Sequence, residues 1–287
     1  MPSWLTKRVP DPGALRRMRS LISGLGLHTV CENAKCPNAG DCFEAGTATF
    51  LILGDLCTRS CGFCSVESGK PGALDLEEPA RVALAAQSLA LQHVVVTSVT
   101  RDDLPDGGAL QFARTIRSVR EAVPGTTVEV LVPDFGGSLE ALRAVADASP
   151  HILAHNVETV PRLYPRVRPG AGFERSLELL CRARRLSSSS LTKSGLMVGL
   201  GETREELSEV FRALREAGCD LLTVGQYLRP SPFHLGVERY LRPEEFADIK
   251  EEALELGFRH VEAAPFVRSS YHAGDALSRP HSSLHPR

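Results

Sequence analysis

From residue 47 onward, short β-branched apolar runs alternate with polar turns and amphipathic stretches. The runs are TFLIL (49–53), HVVVTSV (93–99), TVEVLV (127–132), HILAHNV (151–157), SGLMVGL (194–200) and LLTVGQYL (221–228). They are near-continuously apolar, which predicts strands buried on both faces. Between them, apolar side chains recur at helical spacing, as at Leu110, Ala113, Ile116 and Val119, or Leu207, Val210, Phe211 and Leu214. That periodicity predicts helices near 78–91, 108–122, 138–148, 173–186, 203–217 and 243–256. Six βα units in succession predict a parallel sheet with helices outside it. Spacing alone does not separate an open doubly wound sheet from a barrel. A seventh run, HVEAAPFV (260–267), extends or caps the sheet.

Residues 1–46 break this pattern, being rich in Pro, Gly and Cys with one short helical stretch near 13–24. They read as an N-terminal extension packed on a main unit of residues 47–259, with a C-terminal segment (260–274) after it. Residues 275–287 lack periodicity and read as a disordered tail, so His281 and His285 are not taken as a metal site. The serine run 187–190 reads as a solvent loop.

Composition narrows the class. With 43% hydrophobic and 24% charged residues, the 287-residue chain matches a soluble globular protein. A formal net charge of −2 gives no case for nucleic acid or a membrane surface as partner. No apolar run approaches the roughly 18 residues needed to span a bilayer. The basic start, MPSWLTKRVPDPGALRRMRSL, is broken by Pro10, Pro12 and Gly13, against an organelle presequence, and lacks the apolar region of a secretory signal. Eight cysteines without an export signal are expected as reduced thiols in the cytoplasm. Six of the eight fall between residues 31 and 64, and that clustering points to metal.

Cys57, Cys61 and Cys64 follow the first predicted strand with Cys-x3-Cys-x2-Cys spacing. In parallel α/β units, sites are built on the loops leaving strand C-termini. A buried helix face would also place thiols at this spacing, but Arg59, Ser60 and Gly62 make a poor core helix. Structural zinc needs four ligands, so a fourth would come from elsewhere. An iron–sulfur cluster tolerates three cysteines on four irons and leaves one iron open. Cys31, Cys36 and Cys42 form a second trio, Cys-x4-Cys-x5-Cys, again one ligand short. Cys181 and Cys219 lie in predicted helices and read as core.

The first of these motifs is the signature of radical S-adenosylmethionine enzymes, and the two trios together resemble lipoyl synthases. The resemblance extends through PSWL, ATFLILGDLCTRSCGFC, TSVTRDDLPDGGA, HNVETV, VRPGAGFERSLELL, TKSGLMVGLGET, GQYLRPSPFHLGVERYLRPEEF and RSSYHA, in family order. It covers roughly residues 2–274. Departures are small: Ser60 where the family carries a bulkier or basic residue, Gly62 often Pro, Ser65 often Asp, and Phe43 more usually Trp.

The resemblance implies a partial (β/α)6 TIM-type barrel with two 4Fe–4S clusters. The cluster on Cys57, Cys61 and Cys64 would bind and cleave S-adenosylmethionine. The auxiliary cluster on Cys31, Cys36 and Cys42 would be completed by Ser270 of the RSSY block and would donate sulfur. An alkoxide is a hard donor among soft thiolates, which suits a bond that must be broken. The implied substrate is an octanoyl chain on a lysine of a lipoyl carrier domain. Such carriers include the glycine cleavage carrier protein and the acyltransferase subunits of 2-oxoacid dehydrogenases. A ferredoxin or flavodoxin would supply electrons, and an iron–sulfur carrier would rebuild the consumed cluster.

Weaker assignments surround the cysteines. Thr97, Ser98, Asp103 and Asp106 are placed to hold the methionine or ribose end of S-adenosylmethionine. Gly107 and Gly108 would let backbone approach a ligand closely. Asn156 and Glu158 end the fourth strand on the site face and are candidate contacts to S-adenosylmethionine. Arg168 and Lys193 are candidates for nucleotide or substrate. Two alternatives remain at this point: a biotin-synthase-like sulfur inserter acting on a free small molecule, and a non-catalytic metal-binding protein.

Overall fold

The computed structural model describes residues 2–6, 12–33, 36, 38–44, 48–271 and 274–278. Within them, seven parallel strands pair strictly in chain order: β1 (Thr49–Ile52), β2 (His93–Ser98), β3 (Thr127–Leu131), β4 (Ile152–Ala154), β5 (Leu191–Val198), β6 (Leu221–Gln226) and β7 (His260–Ala264). A doubly wound sheet reverses its strand order at a switch point, and this one never does. Successive right-handed crossovers therefore put every helix on one face, and the other face closes around a lumen. Among the described residues β7 pairs only with β6, so the barrel stays partial. The seventh run extends the sheet. The two-residue strand His28–Thr29 of the N-terminal extension pairs antiparallel on the free edge of β1.

The outer helices are α1 (Pro12–Gly24) in the extension, then α2 (Glu78–Ser88), α3 (Ala109–Ala122), α4 (Leu139–Asp147), α5 (Phe173–Leu186), α6 (Arg204–Glu216) and α7 (Pro243–Glu255). Local signals fix their starts. Thr203 and Glu206 form a reciprocal capping box on α6, and the Ser138 hydroxyl accepts from Ala141 N on α4. Apolar faces of α2 to α4 pack on β1 to β3 through Val82, Phe112, Ile116, Val94, Val96 and Leu142. A second cluster joins α6 and α7 to β5 and β6 through Phe211, Leu214, Phe246, Leu222 and Val224.

Differences from expectation have local causes. HILAHNV keeps only Ile152–Ala154 as strand, because the chain turns away for Glu158, whose φ is 65°. SGLMVGL starts earlier, at Leu191, and ends at Val198, since Gly199 takes φ 95° and Glu202 accepts from the N–H groups of Gly199 and Leu200. Cys219 lies beyond the end of α6, not inside a helix, and is fully buried. In the serine run, Ser190 is buried and donates to Pro150 O at 2.6 Å, so it is anchored rather than solvated. Asp275–Ser278 forms one helical turn where a tail was expected; His281, His285 and the rest of 279–287 lie outside the described residues. No helix is long and apolar enough to cross a membrane among the described residues.

Candidate active site

The loop leaving β1 carries Cys57, Cys61 and Cys64, all free thiols. It is docked on the end of β2: Thr58 N and its hydroxyl both donate to Thr100 O, at 3.0 and 2.9 Å. Arg59 reaches from the loop to two aspartates, Asp102 after β2 and Asp134 after β3, and bonds both carboxylates with paired nitrogens. Burial works to raise the Asp134 carboxyl, but Arg59 outweighs it and holds the group down at about 2. On the far side, Gly62 N donates to Val167 O at 3.0 Å and Leu235 N donates to Gly62 O at 3.1 Å. His234 Nε2 sits 3.0 Å from Cys64 O. The three cysteines are thus held from four directions.

Cys57 Sγ accepts backbone N–H groups from Thr100 at 3.3 Å and Arg59 at 3.5 Å. Burial pushes the Cys64 thiol up to about 12, with Cys61 and Cys57 adding to it. Cys61 is raised by burial against the pull of Arg168. Free thiols so placed resist ionisation, whereas iron binds the thiolate and the N–H donors suit a negative sulfur. Among the described residues no three Cys, His, Asp or Glu groups converge closely enough to hold a single metal ion. Three thiols are one ligand short of tetrahedral structural zinc, whereas a 4Fe–4S cluster on three thiolates keeps one iron open.

The second trio lies in the N-terminal extension. Cys31 follows the edge strand, Cys36 N donates to Cys31 O at 3.2 Å, and Cys42 N donates to Asn38 O at 3.0 Å. Burial pushes the Cys31 thiol up to about 12, with Cys36 and Cys42 facing it. The C-terminal segment meets this loop, because Asn38 Nδ2 donates to Phe266 O at 2.7 Å. Arg268 is drawn down by burial, with the Cys36 and Glu158 charges opposing the shift. The Glu158 charge works to raise both Cys61 and Cys64. The C-terminal segment bridges the second cysteine loop, through Asn38 and Phe266, and the loop after β4, through Ser269 and Asn156.

Other candidates divide. Asn156 Nδ2 donates to Glu158 Oε1 at 3.0 Å and to Ser269 Oγ at 2.6 Å, while its own Oδ1 is buried without a partner. Glu158 is raised by burial, partly offset by Arg168 and Asn156. Arg168 donates to Asn156 O at 2.8 Å and lies 5.6 Å from the Tyr164 ring centre. Ser98 Oγ is buried and unpartnered, but the Thr97 hydroxyl is spent on Leu131 O at 2.8 Å.

Asp103 pairs with Arg101 at 2.8 Å, and Asp106 caps α3 through the N–H groups of Gly108 and Leu110. Gly107 and Gly108, at φ 60° and 89°, approach the side chains of Phe135 and Leu53, so the close approach is to protein. The Lys193 ammonium is paired with Glu129 at 2.8 Å, with both residues almost wholly buried. A cavity of about 200 Å³ opens beside Leu53–Leu56, but its Arg101 and Arg81 are paired with Asp103 and Asp75, and no cysteine lines it.

Sequence reasoning missed Arg59, Asp102, Asp134, His234, Arg268 and Ser269. Arg59 stands inside the cysteine motif and Asp134 just past a strand's C-terminal end, and those positions were the available signal for both. His234 gave no signal of its own.

A partial parallel barrel with a three-cysteine loop after its first strand defines a radical S-adenosylmethionine enzyme. Residues 51–214 match the model of the radical SAM superfamily, which brings with it a 4Fe–4S cluster and S-adenosylmethionine. Within that class, the chain belongs to the lipoyl synthase family. It is 58% identical over 272 residues to the lipoyl synthase of Rubrobacter xylanophilus, spanning 95% of this chain and 85% of that one. It is 56% identical to that of Caldanaerobacter subterraneus subsp. tengcongensis, spanning 96% and 97%.

Solved structures share the fold at low identity. The FeFe-hydrogenase maturase HydG from Carboxydothermus hydrogenoformans matches with TM-score 0.57 and 15% identity, covering 93% of this chain and 77% of that one. Methylornithine synthase matches with TM-score 0.54 and 13% identity, covering 92% and 81%.

Proposed function

We propose that this chain completes the lipoyl group in place, inserting sulfur at the sixth and eighth carbons of an octanoyl chain carried on a lysine of a lipoyl carrier domain. The observation that supports this reading is geometric: Asn156 joins Glu158 to Ser269, and the same C-terminal segment meets the second cysteine loop where Asn38 donates to Phe266 O. Identity above half of the residues with lipoyl synthases over nearly the full chain favours it over a biotin-synthase-like enzyme for a free small molecule.

A 4Fe–4S cluster on Cys57, Cys61 and Cys64 supplies the electron that splits S-adenosylmethionine into methionine and a 5′-deoxyadenosyl radical. The protein's own work is positional. Arg59 locks the loop to β2 and β3, so the thiolates keep their spacing. Ser98 Oγ, Asn156 Oδ1 and Glu158 offer buried polar atoms for the amino, carboxylate and ribose groups of S-adenosylmethionine. Cys31, Cys36, Cys42 and Ser270 hold the auxiliary cluster, which is a substrate here because its sulfide is consumed. Each insertion would consume one S-adenosylmethionine and one electron from the reductant, the substrate hydrogen leaving as 5′-deoxyadenosine; the new C–S bond would take a sulfide from the auxiliary cluster, with the remaining electron going to its iron. Joining the second cysteine loop and the loop after β4 to one C-terminal segment would bring the carbon radical within reach of sulfide.

The octanoylated carriers are the glycine cleavage carrier protein and the acyltransferase subunits of 2-oxoacid dehydrogenases. A ferredoxin or flavodoxin reduces the enzyme, and an iron–sulfur carrier restores the auxiliary cluster, both in the cytoplasm. The test is anaerobic reconstitution with iron and sulfide, then addition of octanoylated carrier, S-adenosylmethionine and reductant. Mass spectrometry of the carrier should find two added sulfurs. A carrier unchanged in mass, with both clusters confirmed by iron and sulfide analysis, overturns the reading. Turnover of a free small molecule without carrier favours the biotin-synthase-like alternative.

A further inference from the structure

Ser269 lies in the C-terminal segment with its hydroxyl against Asn156, and nothing above gives it a role. Tyr271 N donates to Arg268 O at 2.9 Å, closing a turn whose central residues are Ser269 and Ser270. Asn156 Nδ2 donates to Ser269 Oγ at 2.6 Å, joining residues 113 apart in sequence. Gly195 in β5 keeps the room for this bond. A Cβ there would stand 2.6 Å from Thr223 Oγ1, 3.0 Å from Asn156 Oδ1 and 3.2 Å from Ser269 Oγ. A Cβ on Gly225 in β6 would overlap the Val267 carbonyl, so the segment entering the turn lies directly on the sheet backbone. The loop after β4 and strand β5 thus meet the Ser269 side chain, while β6 lies against the backbone just before it.

We propose that Ser269 is a positioning residue for the auxiliary cluster: held by Asn156, it fixes the turn that presents Ser270 to iron. The inference rests on the reading of Ser270 as the serine ligand. A two-residue turn has few degrees of freedom once one central side chain is anchored, so the direction of the next side chain is set. Free rotation of the turn would let a weak alkoxide bond open before substrate arrives. Asn156 also donates to Glu158 Oε1 at 3.0 Å, so the same amide joins the turn to the loop after β4.

The experiment uses the full chain with Cys57, Cys61 and Cys64 all replaced by alanine, so that only the auxiliary cluster loads. Iron release to a chelator and the reduced-state electron paramagnetic resonance spectrum are then read. Ser269→Ala should load the cluster yet release iron about tenfold faster, the scale expected for one lost hydrogen bond. Its spectrum should move toward that of Ser270→Ala. Asn156→Ala should match it, and the Asn156→Ala/Ser269→Ala pair should add nothing further. Ser269→Thr, which keeps the oxygen, should restore the parent rate and spectrum.

A fast Ser270→Ala beside a Ser269→Ala with parent rate and spectrum overturns the inference while leaving the ligand reading intact. Parent behaviour in Ser270→Ala overturns the ligand reading and the inference with it. Failure of Ser269→Thr to rescue shows a packing role and also overturns the inference.

Discussion

Arg59 donates to Asp134 through two nitrogens, at 2.7 and 3.0 Å, and so ties the cysteine loop of β1 to the far end of β3. Asp134 is buried completely and Arg59 nearly so. Removing one partner of a buried pair strands the other charge, at a cost of about 3 kcal/mol or more. Arg59→Met should therefore lower the melting temperature by roughly 6–12 °C. It should also reduce iron loading on Cys57, Cys61 and Cys64, while Arg175, 3.1 Å from Asp134, limits the damage. Thermal unfolding and iron analysis of the reconstituted variant check both.

Gly62 leaves no room for a side chain. A Cβ there would lie 2.9 Å from Arg166 O and 3.0 Å from Leu235. The carbonyl belongs to backbone and cannot move aside cheaply, so Gly62→Ala should cost about 1–3 kcal/mol. Gly62→Ala should loosen the loop, seen as faster chelation of iron from the Cys57 cluster.

Lys193 and Glu129 sit on strands separated by β4, so their 2.8 Å contact crosses the lumen. Lys193→Met should destabilise the protein by about 3 kcal/mol, since it abandons a buried carboxylate. Adding Glu129→Gln should recover most of that loss. S-adenosylmethionine affinity should stay at the parent value in the double variant. A loss of affinity measured by equilibrium dialysis would return Lys193 to the cofactor site.

His155 gives a pH signature. Burial first, then the nearby Arg168 charge, push it from 6.5 down to about 4, although Asp134 opposes the shift and Arg59 adds to it. The unfolded chain takes up this proton below pH 6.5 and the folded chain does not until about pH 4. Stability is thus unaffected above pH 6.5 and falls between these limits, by about 3 kcal/mol for this group. His151, also lowered by burial and by Arg120, steepens the same slope. Denaturant titrations at stepped pH should show the fall, and His155→Gln should flatten it.

Much of this was legible in the sequence because burial patterns are local. Apolar runs such as HVVVTSV became β2 almost residue for residue, and the amphipathic stretches became the outer helices. The choice between barrel and open sheet was not legible, since it depends on strand order, which no local pattern encodes. Cysteine spacing flagged both trios because cluster ligation leaves a sequence mark. Arg59, Asp134 and Ser269 gave weaker marks, because their partners lie 75 and 113 residues away and meet only after the barrel closes. The pairing of Lys193 with Glu129 was illegible for a related reason. A lysine on a strand looks the same whether it faces a ligand or a buried glutamate two strands over.

On the proposed reading the two cysteine trios divide the labour, one cleaving S-adenosylmethionine and the other supplying sulfur. The most direct test compares Cys57→Ala with Cys31→Ala, each reconstituted anaerobically and given S-adenosylmethionine, reductant and octanoylated carrier. Deoxyadenosine and carrier mass are measured in the same reaction. Cys57→Ala should form no deoxyadenosine, whereas Cys31→Ala should form some and insert no sulfur. Identical behaviour of the two variants in both measurements would contradict the account.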